Sequence, residues 1–276
     1  MNQNKNLEKF NFKIISTSNL VLHESFDSTR VEKIKNNISI NKIFTNPILC
    51  VRQSAKSNRY IVLDGANRTT ALQQLKFPFS LVQEFDYKNK NLLLDKWNHL
   101  LLNNTVNFWV KKFSKVLEFK EDKQVLNCSI NSKVVKLYLL NGKKIFSAKI
   151  PGSLSERLMI INKISNLYLD KNIFKRISSS EFNKNTKFGK NETLLIYPHF
   201  NKSDVMKIAG ENLFIPSGIS RHIVNNRGLH INLPILILST SGNCRGKNKL
   251  LEKHLQNLIT NRRVRFYDGS IFLFDE

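Results

Sequence analysis

The sequence predicts an α/β (α+β) fold in which an N-terminal α/β domain and a mixed α/β C-terminal lobe form a cleft. One observation is the run Tyr60-Ile-Val-Leu63, whose four bulky apolar residues are typical of a strand buried on both faces. Asp64-Gly65 breaks this strand before a helical pattern begins. A second observation is Asn141-Gly142, which stands between two strand-like runs and is the strongest short hairpin signal. Because no linker separates the two halves, we expect two interlocked lobes.

The first ninety residues alternate between short strand and helix patterns. They predict strands over 12–15, 48–51, 60–63 and 79–85, and helices over 29–38 and 69–75. Thr29 and Glu32 have the spacing of a capping box at the start of the first helix. We therefore predict a nucleotide-binding domain over residues 1–90.

The second half contains longer apolar patterns with more strand character. It predicts helices over 106–117, 154–168 and 249–259, strands over 134–140, 144–150, 193–197 and 229–238, and a hairpin at Asp268-Gly269. Residues 178–191 are polar and predict a surface loop. We predict a substrate-binding lobe over residues 91–276.

Composition narrows the function classes. The chain has 276 residues, of which 41% are hydrophobic, and 44 Lys+Arg against 21 Asp+Glu give a net charge of +23. This charge favours anionic partners such as nucleotides or nucleic acid, although the lysines are scattered and form no long block. The three cysteines are far apart, and no apolar run approaches the ~18 residues that span a bilayer. We expect a soluble, cytoplasmic protein without a membrane partner, disulfide framework or cysteine-based zinc site.

The turn after the Tyr60–Leu63 strand is the first candidate site. A strand, a glycine turn and a helix start leave backbone N–H groups unpaired, and such groups bind phosphate. Asp64 at the strand end can hold a magnesium ion, and Arg68 can grip an anion with two donors. The alternative is a structural corner in which Asp64 only caps the helix.

Three further segments carry groups suited to chemistry. Glu24 follows His23 in the loop before the first helix and is a candidate general base. Trp97 and His99 could form a wall of a small polar pocket. The segment Ile215-Pro-Ser-Gly-Ile-Ser-Arg-His222 is a second glycine turn rich in hydroxyl, guanidinium and imidazole groups, with Arg227 downstream. The alternatives are a solvated glutamate, a hinge tryptophan and an ordinary turn.

Together these motifs resemble a known superfamily. Asp64-Gly-Ala-Asn-Arg68, with Asn46-Pro-Ile-Leu49 upstream, resembles the ParB/sulfiredoxin fold. The order of His23-Glu24, Trp97-x-His99, the Ile215–His222 segment and the Phe-Leu-Phe-Asp-Glu end is similar to the free L-serine kinases of that superfamily. The most similar pattern is that of members encoded in staphyloferrin B siderophore clusters.

The resemblance implies phosphoryl transfer from ATP or ADP, with Mg²⁺, to free L-serine, giving O-phospho-L-serine for siderophore or other specialised-metabolite synthesis. Glu24 would be the catalytic base, and Asp64 would be catalytic and bind the metal. The nucleotide and its phosphates would be bound by Pro47, Ile48, Gly65, Ala66, Asn67, Arg68 and Thr69. Serine or its phosphate would be bound by Trp97, His99, Ser220, Arg221, His222 and Arg227.

The chain departs from the family pattern at Asn67, where members usually carry His, and at Ser220, where they carry Thr. Ala66 stands at the reactive cysteine of sulfiredoxins, which excludes sulfiredoxin chemistry. Two alternatives stay open. The chain could be a ParB-like DNA-binding transcriptional regulator, with or without kinase activity, or a nucleotide-binding sensor without chemistry.

Overall fold

The computed structural model describes residues 11–169, 173–179, 181 and 188–265. Helices and strands are mixed along this part of the chain, so the predicted α/β class is confirmed. The predicted hairpin at Asp268-Gly269, the Phe-Leu-Phe-Asp-Glu end and much of the predicted 178–191 loop lie outside the described residues. Among the described residues, no helix is both long and apolar enough to cross a membrane.

The first sheet has five strands in the order β1-β6-β4-β5-β2. Their bounds are β1 Phe12–Ser16, β2 Leu20–Leu22, β4 Ile48–Arg52, β5 Tyr60–Asp64 and β6 Phe79–Phe85, while β3 Ile43–Phe44 lies outside this sheet. β2 runs parallel to β5, with Leu22 opposite Val62. Because the carboxyl ends of parallel strands meet at one edge, the residues that follow β2 and β5 come together there.

Two helices pack together on this sheet, α1 Ser28–Asn41 and α2 Ala66–Gln74. The predicted capping box at Thr29 and Glu32 is wrong: the cap is Asp27, whose carboxylate accepts from the Arg30 N–H at 3.1 Å. Asp is a stronger N-cap than Thr, which explains the earlier start. α2 also begins three residues before its prediction, because Gly65 takes the cap position with a φ of 106°.

The second sheet is organised around a long strand that the sequence analysis did not predict, β7 Leu93–Leu101. The sheet order is β11-β7-β12-β9-β10-β8, and β13 pairs with the first half of β7. The other strands are β8 Lys120–Glu121, β9 Lys136–Asn141, β10 Lys144–Lys149, β11 Phe174–Ser178, β12 Thr193–Ile196 and β13 Ser220–Ile223. β9 and β10 form the predicted hairpin at Asn141-Gly142. The helices α3 Val106–Phe113, α4 Leu154–Asn166 and α5 Lys202–Gly210 complete this part of the chain.

The segment after β13 returns to the first sheet. It contains β14 Leu233–Pro234, which pairs with β3, then α6 Leu236–Ser239 and α7 Cys244–Thr260. The predicted strand over 229–238 is wrong, because β14 is two residues long and a helical turn follows. Leu233, Leu238 and Leu251 are buried in the same core as Ile14 of β1. Packing thus crosses the predicted boundary at residue 90, and the two-domain division stays a prediction.

Candidate active site

A cleft of about 910 Å³ opens at the edge where β2 and β5 end. Glu24 lies two residues beyond β2, and Asp64 is the last residue of β5, so the parallel pairing brings both carboxylates to this edge. The loop before β13 and β13 itself form the opposite side. Among the described residues, the lining carries two carboxylates and six basic side chains, namely Arg30, Lys33, Arg68, Arg176, Arg221 and Arg227.

Glu24 is held between the two sides of the cleft. Its Oε1 accepts from the Gly218 N–H at 2.7 Å, and its Oε2 is hydrogen-bonded to the Ser220 hydroxyl. The backbone joins the same segments, since Ser25 N–H donates to the Ile215 carbonyl at 2.8 Å. Burial raises the pKa of Glu24 to about 7, against the opposing effects of the Gly218 and Ser220 hydrogen bonds and the Arg176 charge. Glu24 is therefore a carboxylate suited to exchange a proton near neutral pH.

The turn at Gly218 is supported from below by buried polar groups. Gly218 has a φ of +77°, and an added Cβ would lie 2.2 Å from the Arg176 guanidinium. The fully buried His99 has its Nε2 2.8 Å from the Gly218 carbonyl and its Nδ1 2.6 Å from the Tyr168 hydroxyl. Burial lowers the pKa of His99 to about 4, so the ring is neutral. We expect His99 to affect the site through Gly218.

Asp64 is paired with two guanidinium groups. Arg227 contacts its Oδ2 directly, and Arg68 lies 3.4 Å from the same oxygen. Burial raises the pKa of Asp64, but the two cations outweigh that effect and leave the pKa lowered. The loop carrying Arg227 is fixed by Gln83, whose amide donates to the Asn226 carbonyl at 2.8 Å and whose oxygen accepts from Gly228 N–H at 3.0 Å.

The glycine turn after β5 has the form that the sequence predicted. An added Cβ on Gly65 would lie 2.9 Å from Arg68, so the guanidinium can fold back over the turn only because residue 65 is Gly. Arg68 Nη2 lies 3.4 Å from the Pro47 carbonyl, while its Nε is buried without a hydrogen-bond partner among the described residues. Asn67 lines the cleft, and its side-chain oxygen accepts from the Asp27 N–H at 2.8 Å. The turn therefore presents an unused donor beside the start of α2.

Trp97 and the residues of β13 form the other wall. The guanidinium of Arg221 lies 4.3 Å from the Trp97 ring centroid, and its Nη1 is 3.8 Å from an Asp95 oxygen. His222 Nδ1 lies 3.1 Å from the Leu63 carbonyl, and its Nε2 lies 2.9 Å from the Tyr87 hydroxyl. Burial, with the nearby His23, lowers the pKa of His222 to about 3.

Most of the predicted site residues line this one cleft: Glu24, Asp64, Gly65, Ala66, Asn67, Arg68, Trp97, Ser220, Arg221, His222 and Arg227. Four do not line it, namely Pro47, Ile48, Thr69 and His99, which are buried. The individual roles of all these residues stay predictions.

Sequence reasoning missed the basic residues Arg30, Lys33 and Arg176 of the lining. Arg176 lies on β11, antiparallel to β7 and directly opposite His99. Nothing in its local pattern distinguishes it from the other basic residues of the chain, because its place depends on pairing between distant strands.

The side chains of the cleft are compatible with a magnesium ion that is held mainly by the phosphates of a bound substrate. Among the described residues, no three or more His, Cys, Asp or Glu side chains come together as a metal cluster. Asp64 offers a carboxylate beside the glycine turn after β5, and Mg²⁺ is commonly bound by one or two carboxylates plus substrate phosphates and water. The site fits this arrangement.

Known proteins resemble this chain in sequence. The ATP-dependent L-serine kinase SbnI of Staphylococcus aureus is 31% identical over 90 residues, which cover 32% of this chain and 33% of SbnI. The match thus spans about a third of that relative's length. An ATP-dependent L-serine kinase of Staphylothermus marinus is 23% identical over 222 residues, which cover 76% of this chain and 84% of that protein. No family model matches the chain.

Solved structures share the fold over most of the chain. C-terminally truncated SbnI from S. aureus gives a TM-score of 0.72 at 17% identity, covering 94% of this chain and 100% of that one. A free serine kinase in complex with AMP gives a TM-score of 0.68 at 18% identity, covering 83% of this chain and 93% of that one. The predicted resemblance to free serine kinases is therefore confirmed.

Proposed function

We propose that this chain is a free L-serine kinase that transfers the γ-phosphoryl group of ATP to the serine hydroxyl, giving O-phospho-L-serine. The observation that carries the proposal is the position of Glu24. This carboxylate, whose pKa is raised to about 7, faces a cleft whose lining also carries six basic side chains. A base beside an anion-binding cleft is what transfer of a phosphoryl group to an alcohol requires.

In this reaction the serine hydroxyl oxygen forms a bond to the γ-phosphorus while the bond to the β–γ bridging oxygen breaks. The hydroxyl proton passes to a Glu24 carboxylate oxygen, and ADP leaves. Phosphoryl transfer depends mainly on alignment and on stabilisation of charge on the phosphoryl oxygens. The Gly218 N–H fixes the Glu24 carboxylate, and the Arg176 guanidinium packs against Gly218. A positive charge is therefore available beside the base, where the phosphoryl group would be transferred.

The triphosphate is assigned to the turn between β5 and α2. No side-chain cap hydrogen bond is present at the start of α2, where the first N–H groups of a helix lack intrahelical partners, and the buried Nε of Arg68 has no hydrogen-bond partner in the described structure. Arg227 and Arg68 already grip a carboxylate oxygen, and guanidinium groups bind phosphate oxygens in the same way. Asn67 would contribute a neutral hydrogen bond in place of the charge that His can carry.

Magnesium would be held by Asp64 together with phosphate oxygens of the nucleotide. When bound, the ion supplies positive charge that offsets the charge developing on the transferred phosphoryl group. The chain's own part is to keep Asp64 ionised, which its lowered pKa ensures at neutral pH.

Free serine is assigned to the wall formed by Trp97 and β13. Arg221 stacks on Trp97 and presents a cation suited to the amino acid's carboxylate. In this assignment the serine hydroxyl would lie on the Glu24 side of the cleft, because Ser220, next to Arg221, is hydrogen-bonded to Glu24. The product would then serve siderophore or other specialised-metabolite synthesis.

ATP is the donor we propose, because both related kinases are named ATP-dependent. The direct test incubates the full chain with L-serine, Mg²⁺ and either ATP or ADP, and follows products by ³¹P NMR. We expect a phosphoserine resonance with ATP that is absent without serine. Nucleotide hydrolysis without phosphoserine would contradict the proposal.

DNA binding is a secondary proposal that rests on the net charge of +23. Strands stand at Leu93–Leu101, Lys136–Asn141, Lys144–Lys149 and Thr193–Ile196, whereas the resemblance to the superfamily implies an all-helical region here for a DNA-partitioning member. A DNA-binding role would therefore need a different surface. We expect any DNA affinity to fall steeply with salt and to leave serine phosphorylation intact.

A further inference from the structure

His23 is a buried imidazole whose hydrogen-bond direction can be assigned. Its side chain is 2% exposed, and its Nδ1 lies 2.7 Å from the Val62 carbonyl. A carbonyl oxygen only accepts, so Nδ1 carries the ring proton. Burial lowers the pKa of His23 to about 4, so the ring is neutral and Nε2 has a free lone pair. Nε2 is therefore an acceptor.

The hydroxyl of Ser220 lies between two acceptors. Its Oγ is 3.1 Å from His23 Nε2 and is also bonded to Glu24 Oε2. A hydroxyl has one proton to donate. When Glu24 is ionised, that proton goes to the carboxylate, and His23 Nε2 is left without a donor among the described residues. When Glu24 is protonated, Glu24 donates to Ser220 and Ser220 donates to His23. The hydroxyl oxygen of Ser220 and Nε2 of His23 then each accept a hydrogen bond.

We propose that His23 and Ser220 form a hydrogen-bonded relay that is complete only when Glu24 is protonated, and that it favours the state formed once Glu24 has taken a proton. The inference rests on the proposed function, in which that proton comes from the serine hydroxyl. His23 and Ser220 are positioning residues in this scheme, since they act on the reaction through Glu24.

Other groups around Glu24 act in the opposite direction. The Gly218 N–H and the Arg176 charge both favour the ionised carboxylate, and Arg30 and Asp27 lie beside Arg176. On the far side of His23, the neutral His222 ring lies at a centroid distance of 5.4 Å and is influenced by Asp64 and Lys202. The relay thus counterbalances groups that would otherwise make Glu24 too weak a base.

The test removes the Nε2 acceptor and leaves the rest in place. His23→Asn keeps a donor near the Val62 carbonyl but has no acceptor where Nε2 lies, whereas His23→Gln offers an oxygen close to that position. We expect His23→Asn to lower the Glu24 pKa by about one pH unit, the effect of one hydrogen bond, and His23→Gln to restore much of it. His23→Phe is the second acceptor-free variant if Asn prevents folding.

Two readouts separate this inference from the proposed function. The first is ¹³C NMR titration of the Glu24 carboxyl in the full chain, assigned by its loss in Glu24→Gln, which needs no turnover. The second is the acid limb of the kcat profile for serine phosphorylation. If the Glu24 titration shifts in His23→Asn but the protein makes no phosphoserine, the proposed function is contradicted and the relay is supported. An unshifted titration in an active His23→Asn variant would overturn the relay alone.

A double-mutant cycle tests the path through Ser220. In a Ser220→Ala background, the His23→Asn change should no longer move the Glu24 titration, because the connecting hydroxyl is gone. In a Ser220→Thr background, which keeps a hydroxyl, the shift should return. An equal shift in all three backgrounds would contradict the relay and show that His23 affects Glu24 only through general packing.

Discussion

The guanidinium of Arg227 binds the carboxylate of Asp64, and this ion pair joins residues 163 positions apart in the chain. It connects the end of β5 with the loop after β13, so both walls of the cleft are linked at the proposed triphosphate site. Arg68 shares the same carboxylate oxygen. Binding of a magnesium nucleotide would therefore change these contacts. Asp64 would bind the metal, and Arg68 and Arg227 would bind phosphate oxygens.

The first prediction concerns this ion cluster. Asp64→Asn removes the carboxylate at the end of β5, and Arg68→Ala removes a cation. We expect both variants to raise the Kd for Mg·ATP about tenfold or more, because charge-assisted contacts to phosphate are lost. Isothermal calorimetry with Mg·ATP, with circular dichroism as a check on folding, measures this. Wild-type affinity and turnover in both variants would show that the nucleotide binds elsewhere.

The second prediction concerns Arg221. Arg221→Ala removes the cation stacked on Trp97, so the serine KM should rise about tenfold while the nucleotide KM changes little. Steady-state kinetics with each substrate varied in turn gives the comparison. Arg59→Ala, an exposed change at the tip between β4 and β5, serves as the control. A selective rise in the nucleotide KM would reverse the assignment of the two walls.

The third prediction concerns Arg176, which the sequence did not single out. Arg176→Gln removes a cation that favours the ionised form of Glu24. The acid limb of the kcat profile should therefore move to higher pH, opposite to the effect of His23→Asn, and kcat at pH 7 should fall about tenfold. Lys163→Gln on α4 is the matched control, because that side chain is exposed and outside the cleft. An unmoved limb would remove Arg176 from the account.

The fourth prediction links Glu24 to stability. Its pKa is raised from 4.5 to about 7 by folding, so the folded protein binds this proton more tightly than the unfolded chain does. The resulting stability is present below pH 4.5 and is lost as the pH rises through about 7. The Gln side chain in Glu24→Gln stays neutral at every pH in this range, whereas buried Glu24 is ionised at pH 8. The variant should therefore raise the thermal midpoint more at pH 8 than at pH 5. The same change in midpoint at both pH values would mean that Glu24 titrates normally.

The sequence predicted those parts of the site that are local in the chain. The Tyr60–Leu63 strand, the Asp64-Gly65 break and the helix after it form one continuous unit, and the Asn141-Gly142 hairpin is also local. Glu24 and the Ile215–His222 turn were recognised as candidates, but only the pairing of β2 with β5 explains why Glu24 and Asp64 share an edge.

What the sequence could not predict depends on tertiary contact. β7 pairs with three strands, β11, β12 and β13, yet its buried residues Lys96, Asn98 and His99 are polar and break the apolar pattern expected of a strand. Lys96 and His99 have partners far away in the sequence, because the Lys96 ammonium donates to the Tyr197 carbonyl and His99 Nε2 lies 2.8 Å from the Gly218 carbonyl. Likewise, Arg176 reaches the cleft through the pairing of β11 with β7. The segment around Leu233 packs into the core of the first sheet and pairs with β3. No local sequence pattern predicts either contact.

The central claim is that Glu24 takes the serine proton during phosphoryl transfer. The most direct measurement is phosphoserine formation by wild type and Glu24→Gln with saturating L-serine and Mg·ATP, followed by ³¹P NMR alongside nucleotide affinity. Gln keeps the size and the hydrogen-bonding capacity of Glu but cannot accept the proton. We predict a fall in kcat of at least about 10²-fold with nucleotide affinity nearly unchanged. Phosphoserine formation by the Gln variant at close to the wild-type rate would contradict the account.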